Sequence, residues 1–219
     1  MARESAARSG AARETPSGVA RAPSTAFGGG PPTPPRSGIA STRIAIVMLL
    51  GAETMFFTGL IGAYVVLRGA STVWPPLGLP RLPIAVTWAN TLVLVTSCVT
   101  MAMSLAALKQ KSPWRLERYL TLTTLLGMFF LAVQGSEWIR LVRHGLTVST
   151  GVYGATFYTL IGVHGVHVLG AVIWLIWVQQ RARRTRYSAA NAGAIDMVSI
   201  YWFYVGGLWL ILFPLVYLY

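Results

Sequence analysis

Five stretches of this chain are each apolar and long enough to cross a bilayer, and that excludes most folds at once. They cover residues 44–67, 84–108, 119–142, 152–178 and 195–219. A helix needs about 20 residues to span the hydrocarbon. The first stretch holds one charged residue, Glu53, and the second holds none. The third stays apolar until Gln134, Glu137 and Arg140, the fourth has His164 and His167, and the fifth has only Asp196, at its start. A membrane β-barrel would need alternating segments of about ten residues, and none is seen. Isolated Gly and Pro do not argue against helices here, because neighbouring helices re-satisfy the backbone. The sequence therefore predicts an all-α integral membrane bundle of five transmembrane helices over 41–219, preceded by a disordered arm over 1–40.

Composition agrees. Of 219 residues, 54% are hydrophobic and 11% charged, where soluble domains carry about 25% charged residues. The formal net charge of +12 would by itself suggest nucleic-acid binding. The positive charges, however, lie in the arm and in short loops between apolar runs, so no nucleic-acid partner is expected. The arm holds six prolines with many Gly, Ser and Ala, too little apolar surface to offset the entropy of ordering. Its Arg and Ser suggest a transit peptide, and Glu4 and Glu14 argue against one. The single cysteine, Cys98, rules out a disulfide or multi-cysteine metal site within the chain and reads as a small apolar packing residue.

Orientation follows from lysine and arginine. With five spans, one side holds Arg3, Arg8, Arg13, Arg21, Arg36, Arg43, Lys109, Lys111, Arg115, Arg118, Arg181, Arg183, Arg184 and Arg186. The other holds Arg68, Arg81, Arg140 and Arg143. The positive-inside rule then puts the N-terminus in the cytoplasm and the C-terminus outside. Trp74, Trp88 and Trp138 fall near the outer boundary, and Trp114 and Trp177 near the inner one, as interfacial tryptophans do.

Three sets of polar groups lie at membrane depth. Glu53 sits about 15 Å into the first span. An ionised carboxylate there costs roughly 2.5 kcal/mol or more, so Glu53 either carries a proton or has a partner. His164 and His167 share a helix face by their i, i+3 spacing, continued by Ala171 and Trp174. Gly162 and Gly165 beside His164 allow close approach of a helix or a lipid chain. The pair admits a metal site with Glu53, a hydrogen-bonding pair for a lipid headgroup or Glu53, or plain interhelix contacts. Gln134 and Glu137 share a face of the third helix, and Arg140 can pair with Glu137. No phosphate-binding loop, dinucleotide fingerprint or catalytic triad appears. With three histidines the chain cannot hold two haems and a copper centre by itself. No internal repeat supports a transporter with broken helices at mid-depth.

Local motifs add a resemblance. Ala52-Glu53-Thr54-Met55-Phe56-Phe57-Thr58-Gly59, Trp74-Pro75-Pro76 with Asn90-Thr91, Gln134-Gly135-Ser136-Glu137-Trp138, Gly162-Val163-His164-Gly165-Val166-His167-Val168 and Trp209-Leu210 through Phe213-Pro214-Leu215 occur in order. Together they resemble subunit III of the haem–copper terminal oxidases, in its five-helix short form, over about residues 43–219. One departure stands out: the family's last helix often reads Trp-His-Phe-x-Asp, and here the segment is Trp202-Phe203-Tyr204-Val205-Gly206.

The resemblance implies a subunit of a cytochrome c oxidase-type complex in a bacterial cytoplasmic membrane, with no catalytic or metal-ligating residue of its own. Haem and copper would lie in partner subunits. It implies catalytic subunit I and subunit II as partners, with membrane lipids and a respiratory supercomplex beyond them. Glu53 matches a carbodiimide-reactive carboxylate. Glu53, His164 and His167 would line a phospholipid-binding cleft, while Gln134, Glu137, Arg140 and Asn90 would serve as interhelix polar contacts. The subunit would pack on the catalytic subunit, sustain proton uptake and slow inactivation during turnover. The departure puts the chain outside the mainstream cytochrome c and quinol oxidase subunits and leaves room for a partner of nitric oxide reductase; a partner of quinol oxidase is a further alternative, and a small proton-coupled transporter is the reading from another class.

Overall fold

Five helices account for most of the described residues in the computed structural model, which covers residues 37–74, 76, 83–184 and 189–218. They are α1 (Ser37–Gly69), α2 (Ile84–Lys109), α3 (Pro113–Arg143), α4 (Val152–Arg184) and α5 (Ala189–Phe213), closed by a π-helical turn over Pro214–Leu218. There is no strand among the described residues. Each helix contains a segment long and apolar enough to cross a membrane. Most of the arm expected over 1–40, with Arg3, Arg8, Arg13, Arg21 and Arg36, lies outside the described residues, as do Pro75, Arg81, Arg186 and Tyr219.

The helices run past the apolar stretches that announce them. α3 starts at Pro113 rather than Tyr119, because proline suits the first helical turn, where its missing N–H has no partner to lose. α4 continues to Arg184 rather than Val178. Arginines in the last turn meet the negative end of the helix dipole, and outside the hydrocarbon they carry no burial cost.

Helix ends are set by local chemistry. Gly145, at φ +90°, ends α3: Leu146 N–H reaches the Leu141 carbonyl at 3.0 Å and Gly145 N–H the Val142 carbonyl at 3.0 Å. This is the Schellman arrangement, with buried Leu146 as its apolar contact. α2 ends in the same way, but its left-handed residue is Lys111, at φ +52°. A β-carbon in that region costs roughly 1–2 kcal/mol. Lys111→Gly is therefore expected to stabilise the chain by up to about 1 kcal/mol and Gly145→Ala to destabilise it by a similar amount, read as opposite shifts in thermal unfolding in detergent.

α2, α3, α4 and α5 form a closed ring, each packing on the next, and α1 lies outside it on the seam between α4 and α5. Water does not drive helices together inside lipid, so close packing and polar contacts must hold the ring. Both are present. Trp202 and Trp209 of α5 are fully buried at its centre. Their indole N–H groups donate to Ser97 Oγ at 3.2 Å and Thr91 Oγ1 at 2.9 Å, both on α2. Gly127 of α3 makes room for Trp202: a β-carbon there would collide with the indole ring. Asn90 Nδ2 donates to the Phe130 carbonyl at 3.1 Å, and Thr100 and Thr123 hydroxyls meet at 2.8 Å, joining α2 to α3. At the basic end, Gln179 Nε2 donates to Thr121 Oγ1 at 2.6 Å and Arg183 pairs with Glu117 at 2.9 Å, joining α3 to α4.

Candidate functional site

The polar residue deepest in α1, Glu53, faces the α4–α5 seam. Tyr201 of α5 donates its hydroxyl to Glu53 Oε1 at 3.1 Å. His167 of α4 presents Nε2 to the same oxygen at 3.9 Å. The other carboxyl oxygen, Oε2, is buried without a hydrogen-bond partner. Beside it, the Thr54 and Tyr204 hydroxyls lie 3.3 Å apart, and at the basic end Arg43 pairs with Asp196 at 3.1 Å. α1 is thus joined to α5 by three polar contacts.

The state of the histidine follows from its second nitrogen. His167 Nδ1 lies 2.7 Å from the Val163 carbonyl oxygen. A carbonyl only accepts, so Nδ1 carries a hydrogen. In the neutral ring Nε2 then offers a lone pair towards Glu53, and an ionised carboxylate also offers only lone pairs. One proton between the two groups, on either partner, turns repulsion into attraction. At 3.9 Å the imidazole stands beside the carboxyl without a direct hydrogen bond, and Tyr201 is the hydroxyl that donates to it.

His164 does not join this cluster. Its ring stacks on Trp209 with centroids 5.3 Å apart and 24° between planes, and neither ring nitrogen has a partner. Phe57 of α1 packs edge-on against both rings, at 5.1 Å from His167 and 6.4 Å from His164. Shared spacing on one helix face therefore leads to two different neighbourhoods. Among the described residues, no three His, Cys, Asp or Glu side chains converge as a metal site would require.

The remaining polar residues singled out in the sequence are spread along α3. Gln134 turns inward and donates Nε2 to the Tyr217 hydroxyl at 3.0 Å, tying α3 to the closing turn. Glu137 and Arg140 pair at 3.4 Å along the helix. Tyr201, Tyr204 and Tyr217 are the site residues that sequence reasoning missed. The available signal for two of them was position, since Tyr201 precedes and Tyr204 lies within the segment where the last helix departs from the Trp-His-Phe-x-Asp pattern. Trp138 lies over Gly165 with its indole N–H buried and unpartnered.

A sequence profile of the family described as cytochrome c oxidase subunit III matches residues 34–219. The chain belongs to the cytochrome c oxidase subunit III family. It is similar to a probable cytochrome c oxidase subunit 3 of Mycobacterium leprae, 36% identical over 175 residues, covering 80% of this chain and 86% of the relative. The corresponding protein of Nocardia farcinica is 35% identical over the same shares. Cytochrome c oxidase subunit 3 of Synechocystis is 33% identical over 174 residues, or 79% of this chain and 73% of the relative. The chain is thus a multi-pass membrane subunit III of a haem–copper oxidase, a component of a complex with other oxidase subunits. Within the subunit III fold seen here, Glu53 and His167 face each other across the α1–α4 contact, and Tyr201 enters from the helix that carries the departure.

Proposed function

We propose that this subunit III is an accessory, non-catalytic member of a bacterial cytochrome c oxidase. It steadies the catalytic subunit, binds lipid at the α1 seam and keeps proton uptake running during turnover. Haem and copper reside in the partner subunits, the catalytic subunit I and subunit II. The chain lies in the cytoplasmic membrane with its N-terminus inside. The more basic ends of the helices, with Lys109, Lys111, Arg115, Arg118, Arg181, Arg183 and Arg184, support that orientation.

The observation that carries the proposal is the Glu53–His167–Tyr201 cluster between three membrane-spanning helices. Ionisable residues inside such helices are costly and mark functional positions by default. A carboxyl with an imidazole and a phenol beside it suits a subunit that buffers or relays protons without redox chemistry. The histidines also have other engagements: His167 Nδ1 is bonded to Val163, His144 Nδ1 lies 2.7 Å from the Arg140 carbonyl, and His164 is stacked on Trp209.

The test is a mild-detergent pulldown on tagged chain, read by haem absorbance and mass spectrometry, paired with deletion of the chain. A haem- and copper-bearing oxidase should co-purify, and its companions should identify the electron donor. The complex lacking this chain should start at near-normal turnover and then lose activity several-fold faster. Chain recovered alone and haem-free, with membrane oxygen consumption indifferent to deletion, would overturn the proposal.

A further inference from the structure

Away from Glu53, an apolar groove of about 300 Å³ opens between α3 and α4 beside the ring. Glycine makes the room: at Gly135 and Gly162 a β-carbon would meet nothing within 4 Å. At Gly165 the space is already filled, because the Trp138 ring would lie 2.9 Å from a β-carbon there. Phe130, Trp138 and Trp209 supply flat walls, and His164 lines the same groove.

The groove holds an unusual concentration of unmet hydrogen bonding. His164 is 1% exposed, and both its ring nitrogens and Trp138 Nε1 are buried without partners. Each such group left unpaired costs roughly 1–3 kcal/mol. Trp209 does not share the deficit, since its N–H is given to Thr91. His164 lies close to the middle of the long helix α4 (Val152–Arg184). A phosphate headgroup would have to bring its charge to that depth, which the hydrocarbon opposes. The chemistry that fits is uncharged and apolar, with a carbonyl oxygen to accept from an imidazole or indole N–H.

We propose that the α3–α4 groove binds the carbonyl end of an uncharged lipid-soluble molecule, of quinone or fatty-ester chemistry, with His164 and Trp138 as its hydrogen-bonding residues. The carbonyl accepts from the Trp138 N–H or from the protonated nitrogen of His164, the ring or ester plane lies along the aromatic walls, and the apolar tail leaves between Val166 and Leu169 towards the bilayer. Glycine at 162 and 135 keeps the entrance open. The groove is separate from the Glu53 cluster, and the inference does not rest on the role given to that cluster.

The test uses the whole chain in its native complex and two uncharged photoreactive probes, an azido-naphthoquinone and a diacylglycerol with a diazirine on the acyl chain near the ester. At least one should label the segment of α4 around 161–169. That labelling should fall about tenfold in Gly162→Leu, which plugs the groove, and in His164→Phe, the equivalent of one buried hydrogen bond. Competition by unlabelled short-chain quinone assigns the site to a quinone, and labelling by the lipid probe alone, unmoved by quinone, assigns it to an ester lipid. Gly135→Leu plugs the groove from α3 and serves if Gly162→Leu fails to assemble. Absence of labelling at 161–169 with both probes, or labelling unchanged in assembled plugged variants, overturns the proposal.

Discussion

Trp202→Ala is expected to destabilise the bundle by about 3–5 kcal/mol, the range for truncating a fully buried tryptophan. The side chain fills the centre of the four-helix ring, pressed against Gly127 of α3 and hydrogen-bonded to Ser97 of α2. In lipid, an emptied centre loses its van der Waals contacts with no hydrophobic term to draw the helices together again. The Ser97 hydroxyl would also lose the indole that donates to it. Trp177→Ala is the internal control. Trp177 is 54% exposed and carries Arg181 over its ring at 5.5 Å, so its loss should shift stability by less than about 1 kcal/mol. Denaturant unfolding of the purified complex reads both, and equal shifts would refute a ring held from its centre. Gly127→Ala tests the same contact from the other side and should cost about 1–3 kcal/mol as an overpacked site.

The second large effect is expected at Glu53. Carbodiimides attack a carboxylic acid that carries its proton, so Glu53→Gln should abolish labelling while leaving assembly intact. The amide is the uncharged counterpart of a neutral carboxyl: its oxygen accepts from Tyr201 and its N–H₂ faces His167 Nε2. Glu53→Leu removes both functions and leaves the Tyr201 hydroxyl and the imidazole unpaired, at about 1–3 kcal/mol. Assembly should therefore rank wild type and Glu53→Gln together, with Glu53→Leu below them. If Glu53→Gln fails to assemble, the carboxylate is needed in its charged form and the neutral-carboxyl reading is wrong.

How much of this was legible beforehand depends on the range of the signal. The five helices were readable because length and hydropathy are local, and the family because its motifs are contiguous. Glu53 and the two histidines stood out because charge in an apolar run is conspicuous. Tyr201 did not, since a tyrosine there reads as packing and its partner lies 148 positions away. The division of His164 from His167 was equally hidden. Spacing places both on one face, but which neighbour each meets depends on where Phe57 and Trp209 arrive from other helices. The neighbour of Trp138 was hidden for a related reason: its position near the end of α3 does not say that its ring packs over Gly165 of α4.

The position of α1 outside the ring bears on how the protein is made. α1 is the first of the five helices to leave the ribosome, yet its buried carboxyl is completed by His167 on the fourth helix and Tyr201 on the fifth. Until α5 is made, Glu53 waits in the membrane without the groups it later meets, and a carboxyl there is costly. A nascent chain cut before α5 would hold four inserted helices and an orphaned acid. Docking of the first helix thereby reports that synthesis has reached the last.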